Sequence, residues 1–222
     1  MRIGLVLIGL LLADAFLFGG TALSQGDFPV DSDILKNFEN RWGKEAATRL
    51  NAWGDLIRSG KNASDRDKLE KVNAFMNNTM AYAEDIDVWG VDDYWATPQE
   101  FIGKGRGDCE DYAIAKYFTL KVMGVAERKL NIAYVKALQL NRTHMVVTYT
   151  NLPGDEPLIL DNLIDKIKPA SERTDLMPIF TFNGTELWMA HERGQGKSTN
   201  SSRLRPWRDL LNRMSDDNLF VK

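Results

Sequence analysis

Gly103-Lys104-Gly105-Arg106-Gly107-Asp108-Cys109-Glu110-Asp111-Tyr112 sets the only cysteine of the chain between two carboxylates, behind three glycines spaced two apart. Ala113, Ile114, Tyr117, Leu120 and Met123 then recur at helical spacing up to Gly124, so a helix is predicted with Cys109 at or just before its first turn. A helix N-terminus favours a thiolate, whereas Asp108 and Glu110 oppose one. A divalent cation held by the oxygens of Asp108 and Glu110, their side chains turned from the thiol, would remove that conflict. Asp85, Asp87, Asp92, Asp93 and nearby carbonyls are open candidates to complete its shell.

Downstream, Ile132 to Leu140, Met145 to Thr150 and Leu158 to Leu163 read as strands, separated by Asn141-Arg142-Thr143 and by Asn151 to Pro157. Short connections predict antiparallel neighbours. A last strand is expected at Ile179 to Phe182 or at Glu186 to Ala190, around the Asn183-Gly184 turn. A thiol nucleophile needs a base and a group that orients the base. There are two histidines. His144 opens the second strand and Asp161 lies in the third, with the Leu152-Pro153 turn midway between them. Symmetric antiparallel pairing would set the two opposite, with Cβ atoms about 5 Å apart. His191 is the rival base, but it lacks a cross-strand carboxylate.

Upstream, Asp31 to Leu56 carries Ile34, Leu35, Phe38, Trp42, Ala46, Leu50 and Trp53 on one face, with Asp31 or Ser32 as cap and Gly54 near its end. Ser64 or Asp65 starts a second helix through Met80. Both stripes read as core. Residues 83 to 107 are loop-rich, apart from a short helix Pro98 to Ile102 behind Thr97. Gly194 to Ser202 reads as a polar loop; its Gly-Lys-Ser lacks the first glycine of a phosphate loop and a strand leading in. Leu204 to Met214 would be a closing helix.

The 222 residues, 44% of them hydrophobic, suit one domain, and a net charge of −3 offers no basic field for nucleic acid. Met1-Arg2, the apolar Ile3 to Leu12 and the small-x-small Ala22-Leu23-Ser24 read as an export signal over 1–24, cleaved before Gln25. An uncleaved anchor is the alternative, and Asp14 argues against a bilayer span. The mature part, 25–222, divides into a helical part 31–82, a catalytic core 83–190, and a polar loop with terminal helix, 194–222. A lone cysteine permits no internal disulfide, so the fold stands on packing.

Gly107-Asp108-Cys109-Glu110-Asp111-Tyr112-Ala113, Thr143-His144-Met145-Val146, Leu160-Asp161-Asn162-Leu163 and Asp93-Tyr94-Trp95-Ala96-Thr97-Pro98 resemble the bacterial transglutaminase-like cysteine proteinases over about residues 30 to 190. The resemblance implies an α+β, papain-like core with the nucleophile helix packed on an antiparallel sheet. It implies Cys109 as nucleophile, His144 as base and then acid, Asp161 as orienter, and calcium held in part by Asp108 and Glu110. Enzymes of this kind are periplasmic and cut a large surface adhesin near its N-terminus, releasing cells from a biofilm. An inner-membrane cyclic di-GMP receptor sequesters them. An acyl transferase acting on amines, as in a transglutaminase, and a non-catalytic calcium-regulated binding module are the competing readings.

Overall fold

The computed structural model describes residues 30–189 and 198–216. The N-terminal signal and His191 lie outside the described residues, among which no helix is long and apolar enough to cross a membrane.

The first helical stretch is two helices, α1 (Ser32–Trp42) and α2 (Lys44–Gly60), rather than one. Gly43 divides them: its φ of +90° is foreign to a helix, and its N–H closes α1 on the Glu39 carbonyl. Asp31 caps α1 by accepting from the Asp33 and Ile34 amides. Gly54, expected near a helix end, sits inside α2, where a Cβ would come within 2.8 Å of the Val30 side chain. It serves packing and not termination. Ser64 caps α3 (Asp65–Thr79) as its sequence predicts.

Just before the loop-rich stretch lies β1 (Ala81–Tyr82), and within it α4 (Asp85–Trp89), neither of which the local sequence announces. α5 (Pro98–Lys104) runs two residues beyond the predicted helix and opens on a full capping box between Thr97 and Glu100. β2 (Arg106–Gly107) pairs in parallel with β1 and delivers the chain to α6 (Cys109–Val122).

The remaining strands are β3 (Leu130–Ala137), β4 (Arg142–Tyr149), β5 (Leu158–Leu160), β6 (Lys168–Pro169), β7 (Leu176–Phe182), β8 (Glu186–Met189) and β9 (Thr199–Asn200). They form one antiparallel sheet in the order β6-β5-β4-β3-β7-β8-β9. Both candidates for the last strand are strands, joined at Asn183-Gly184, and the expected polar loop contributes β9. The β3–β4 turn falls earlier than predicted, with Asn141 at φ +51°, so His144 is the third residue of β4 and not its first. α7 (Arg205–Asp216) closes the fold.

Helices and sheet share one core, from Phe38 in α1 to Met214 in α7. Met145, Val147 and Tyr149 of β4 face this core and α6, while Val146 joins Ala133, Val135 and Ile159 in a smaller cluster on the other side of the sheet. The N-terminal helices therefore act as a wall of the same core. Arg49 of α2 donates to the Ile102 and Gly103 carbonyls at 2.8 and 2.7 Å, tying down the end of α5 just before the cysteine.

Candidate active site

The glycine ladder has separate causes. Gly105 closes α5 in a left-handed conformation (φ +69°) that disfavours a side chain. At Gly107 a Cβ would sit 2.1 Å from an Asp111 carboxylate oxygen, so no side chain fits between the strand and the acid. Behind it Asp108 takes the N-cap position in extended backbone, but its side chain caps nothing. Cys109 then begins α6, 7% exposed, at the positive end of the helix.

The thiol lies against Glu110, to which it donates at 2.7 Å. This corrects the expectation that both flanking acids turn away: one helical residue on, the longer Glu110 side chain folds back over the sulfur. The Met145 amide reaches the sulfur from β4. Burial, then Glu110 and Asp108, push the thiol well above its ordinary range, so the acids beside it suppress the thiolate unless they are neutralised.

His144, 4% exposed, holds Asp161 through Nε2 and Oδ1 at 2.7 Å. The predicted pair forms, but not by the predicted register. β4 and β5 pair Val147 with Leu160 and Tyr149 with Leu158, and continuing that register sets Asp161 across from Val146. The loop from Thr150 to Pro157 is centred one residue later than the predicted turn, which shifts the pairing by two. Asp161 lies just past the end of β5 and meets His144 on the diagonal, on the same face.

Three further groups hold Asp161. Its Oδ1 accepts from the Leu163 amide at 3.0 Å, its Oδ2 from Arg173 at 2.6 Å, and its carbonyl from Asn77 of α3 at 2.8 Å. Burial would raise its pKa, but the hydrogen bond and charge of His144, then Leu163 and Arg173, hold it down at about 2. Asp161 is an ionised carboxylate with every oxygen engaged.

On the other flank of the thiol lies a nest of acids. Carboxylate oxygens of Asp85, Asp108 and Asp111 fall within 4.8 Å of one another, as do those of Asp85, Asp93 and Glu110. Of the candidate ligands upstream, Asp85 and Asp93 join the nest, whereas Asp87 and Asp92 are exposed and outside its groups. Asp111 was legible only through its i+3 spacing from Asp108, which stacks the two on one helical face. Burial followed by mutual repulsion raises Asp85 to about 6, Asp108 to about 10 and Asp111 well above the carboxylate range. Asp85 Oδ1, Asp108 Oδ1 and Asp111 Oδ2 are buried with no hydrogen-bond partner. Buried, convergent, unsatisfied carboxylate oxygens suit a hard divalent cation with a high oxygen coordination number. The residues fit calcium.

Between Trp95 and Gln99, the Ala96 amide donates to Asp111 and the Thr97 amide to Glu100, so both are occupied.

Comparison with known proteins agrees with this geometry. The family model of the bacterial transglutaminase-like cysteine proteinases (BTLCP) matches residues 46–179. No curated protein matches the chain. Solved structures of Legionella pneumophila LapG are similar at 42% identity over 82% of this chain: an EGTA-treated form (TM-score 0.74, 96% of that chain covered), LapG itself (0.71, 96%) and a calcium-bound form (0.71, 98%). With the family model matching more than half of the chain and a solved structure 42% identical over 82% of it, the chain belongs to the bacterial transglutaminase-like cysteine proteinases, a family of cysteine peptidases.

Proposed function

We propose that the protein is a calcium-dependent cysteine endopeptidase in which Cys109 is the nucleophile, His144 the general base and acid, and Asp161 the orienter. The observation that carries this is the buried 2.7 Å His144–Asp161 contact on β4, next to the residue whose amide touches the Cys109 sulfur. Because Nε2 faces Asp161, Nδ1 is the nitrogen that exchanges a proton with the thiol. The proton of Cys109 passes to His144, and the thiolate attacks the scissile carbonyl. The oxyanion accepts from the Cys109 amide at the helix start. His144 protonates the departing amine, and water attacks the resulting thioester to free the acid.

Asp85, Asp93, Asp108, Glu110 and Asp111 would hold calcium, whose charge neutralises the acids that otherwise suppress the thiolate. The calcium-bound and EGTA-treated LapG structures support this for a protein of the same family.

We extend the reading, on the family resemblance, to a periplasmic enzyme that cuts a large surface adhesin near its N-terminus, promotes biofilm dispersal and is restrained by an inner-membrane cyclic di-GMP receptor. The test pairs wild type and Cys109→Ser on the purified N-terminal region of such an adhesin, with calcium or with chelator. Cleavage by wild type in calcium alone supports the proposal. Equal cleavage by the serine variant would sink the nucleophile assignment, and undiminished cleavage in chelator would remove the cation. Cross-linking to an added amine without cleavage would make the protein an acyl transferase.

A further inference from the structure

Asp161 has a second charged partner that the three-residue scheme leaves unused. Arg173 follows a 3-10 turn (Ala170–Glu172), is 3% exposed, and donates through one terminal nitrogen to Asp161 Oδ2 at 2.6 Å. The same guanidinium forks onto Asp175, Nε to Oδ1 at 2.9 Å and the same terminal nitrogen to Oδ2 at 2.8 Å. It arrives from the sheet face opposite α6, where it lines a cavity of about 1080 Å³ with Ala133, Val135, Val146 and Ile159. The other charged groups near Asp161 are His144 on β4, Lys116 on α6 and Arg173 itself.

We infer that Arg173 is a positioning residue for the active site: with Asp175 it fixes the Asp161 carboxylate so that Oδ1 presents to His144. A carboxylate held through one oxygen alone, as Oδ1 is by His144 and the Leu163 amide, can pivot about its last torsion. One pinned on its second oxygen by a planar guanidinium cannot, and the guanidinium is itself oriented by the two-point contact with Asp175. Asp175 also balances the charge of Arg173, so the Asp161–Arg173–Asp175 group remains net negative toward the imidazole. A buried arginine beside a catalytic aspartate would otherwise weaken the field that stabilises an imidazolium.

This inference rests on the proposed triad and is tested beside it in calcium-replete full chain. Turnover of the adhesin N-terminal region gives kcat and KM. With two histidines in the chain, the ring signals of His144 can be assigned by NMR in a Cys109→Ala background. Arg173→Met is expected to fold, to lower kcat about 100-fold as expected of a displaced catalytic group, to leave KM within about two-fold, and to shift the hydrogen-bonded His144 ring proton. Arg173→Lys should recover about ten-fold of the loss, since it keeps the charge without the fork. A folded Arg173→Met with wild-type kcat, or with lowered kcat but unchanged His144 signals, overturns the inference. Should Arg173→Met not fold, Arg173→Lys and Asp175→Asn decide: a lowered kcat with altered His144 signals in either supports it, and any other result overturns it. Asp161→Asn separates the two levels, because full activity there rejects the triad whatever Arg173 does.

Discussion

Asp161 illustrates how much of this site is decided by single atoms. Its Oδ1 must accept from the imidazole, so Asp161→Asn presents either an amide donor or an oxygen without charge to His144. We expect kcat to fall by about 10³- to 10⁴-fold with the fold intact, measured by steady-state proteolysis and circular dichroism. Gly107 is constrained as tightly from the other side. In Gly107→Ala the new methyl would occupy the space of the Asp111 carboxylate. The variant should bind calcium about ten-fold or more weakly in isothermal titration, the size of loss seen when a metal site's supporting contacts are disturbed. Undiminished affinity would mean that Asp111 takes no part in holding the ion.

At the scale of elements, the cysteine is placed by what precedes and surrounds α6 as much as by α6 itself. α5 begins on the Thr97–Glu100 capping box, and Arg49 takes up its final carbonyls. Thr97→Ala removes the side chain that accepts from the Glu100 amide. It should lower unfolding free energy by about 1 kcal/mol in urea denaturation, with the m-value unchanged. The α3 asparagines act likewise on the loop after β5: Asn77 donates to the Asp161 carbonyl and Asn73 to the Asp165 carbonyl. Elements with strong local signals were legible in the chain, including α3 with its serine cap, the Pro98 helix and the helix behind Cys109. α4 and the β1–β2 pair were not, because they are short and are held by contacts to distant backbone: Ala81 N–H to the Gly105 carbonyl, Ala83 N–H to the Gly107 carbonyl.

Over the whole molecule, the shared core buries one lysine whose ammonium has no hydrogen-bond partner. Lys116, on α6, is 1% exposed, and burial lowers its pKa to about 7 against the opposing pull of Asp161 and Asp165. At this site the unfolded chain then holds a proton that the folded one has lost between pH 7 and the ordinary value near 10.5. The contribution of Lys116 to stability therefore rises with pH across that window and is lowest below it, while Asp108 and Asp111, whose pKa values are raised in the fold, contribute with the opposite sign. The difference amounts to as much as about 5 kcal/mol, from about 1.4 kcal/mol for each pH unit of displacement. Lys116→Met should therefore raise Tm over wild type most near pH 7 and progressively less toward pH 10.5, and a difference independent of pH would assign the effect elsewhere. Calcium bound as proposed would add a second whole-molecule effect: at about 100 times its Kd it should stabilise the fold by about 2.7 kcal/mol, seen as a Tm increase that chelator reverses. The sequence by itself determined the place of Cys109 at a helix start and the antiparallel order of the strands after it, since each follows from local periodicity and turn residues, and it named His144 and Asp161 as partners through a register that the structure does not keep. Tertiary structure alone decided the two-residue offset in the β4–β5 register, the fold of Glu110 over the thiol, the gathering of Asp85 with Asp108 and Asp111 and of Asp85 and Asp93 with Glu110, and the arrival of Arg173 at Asp161. These depend on where separate elements pack, and side chains brought together across a core leave no period or spacing in the chain.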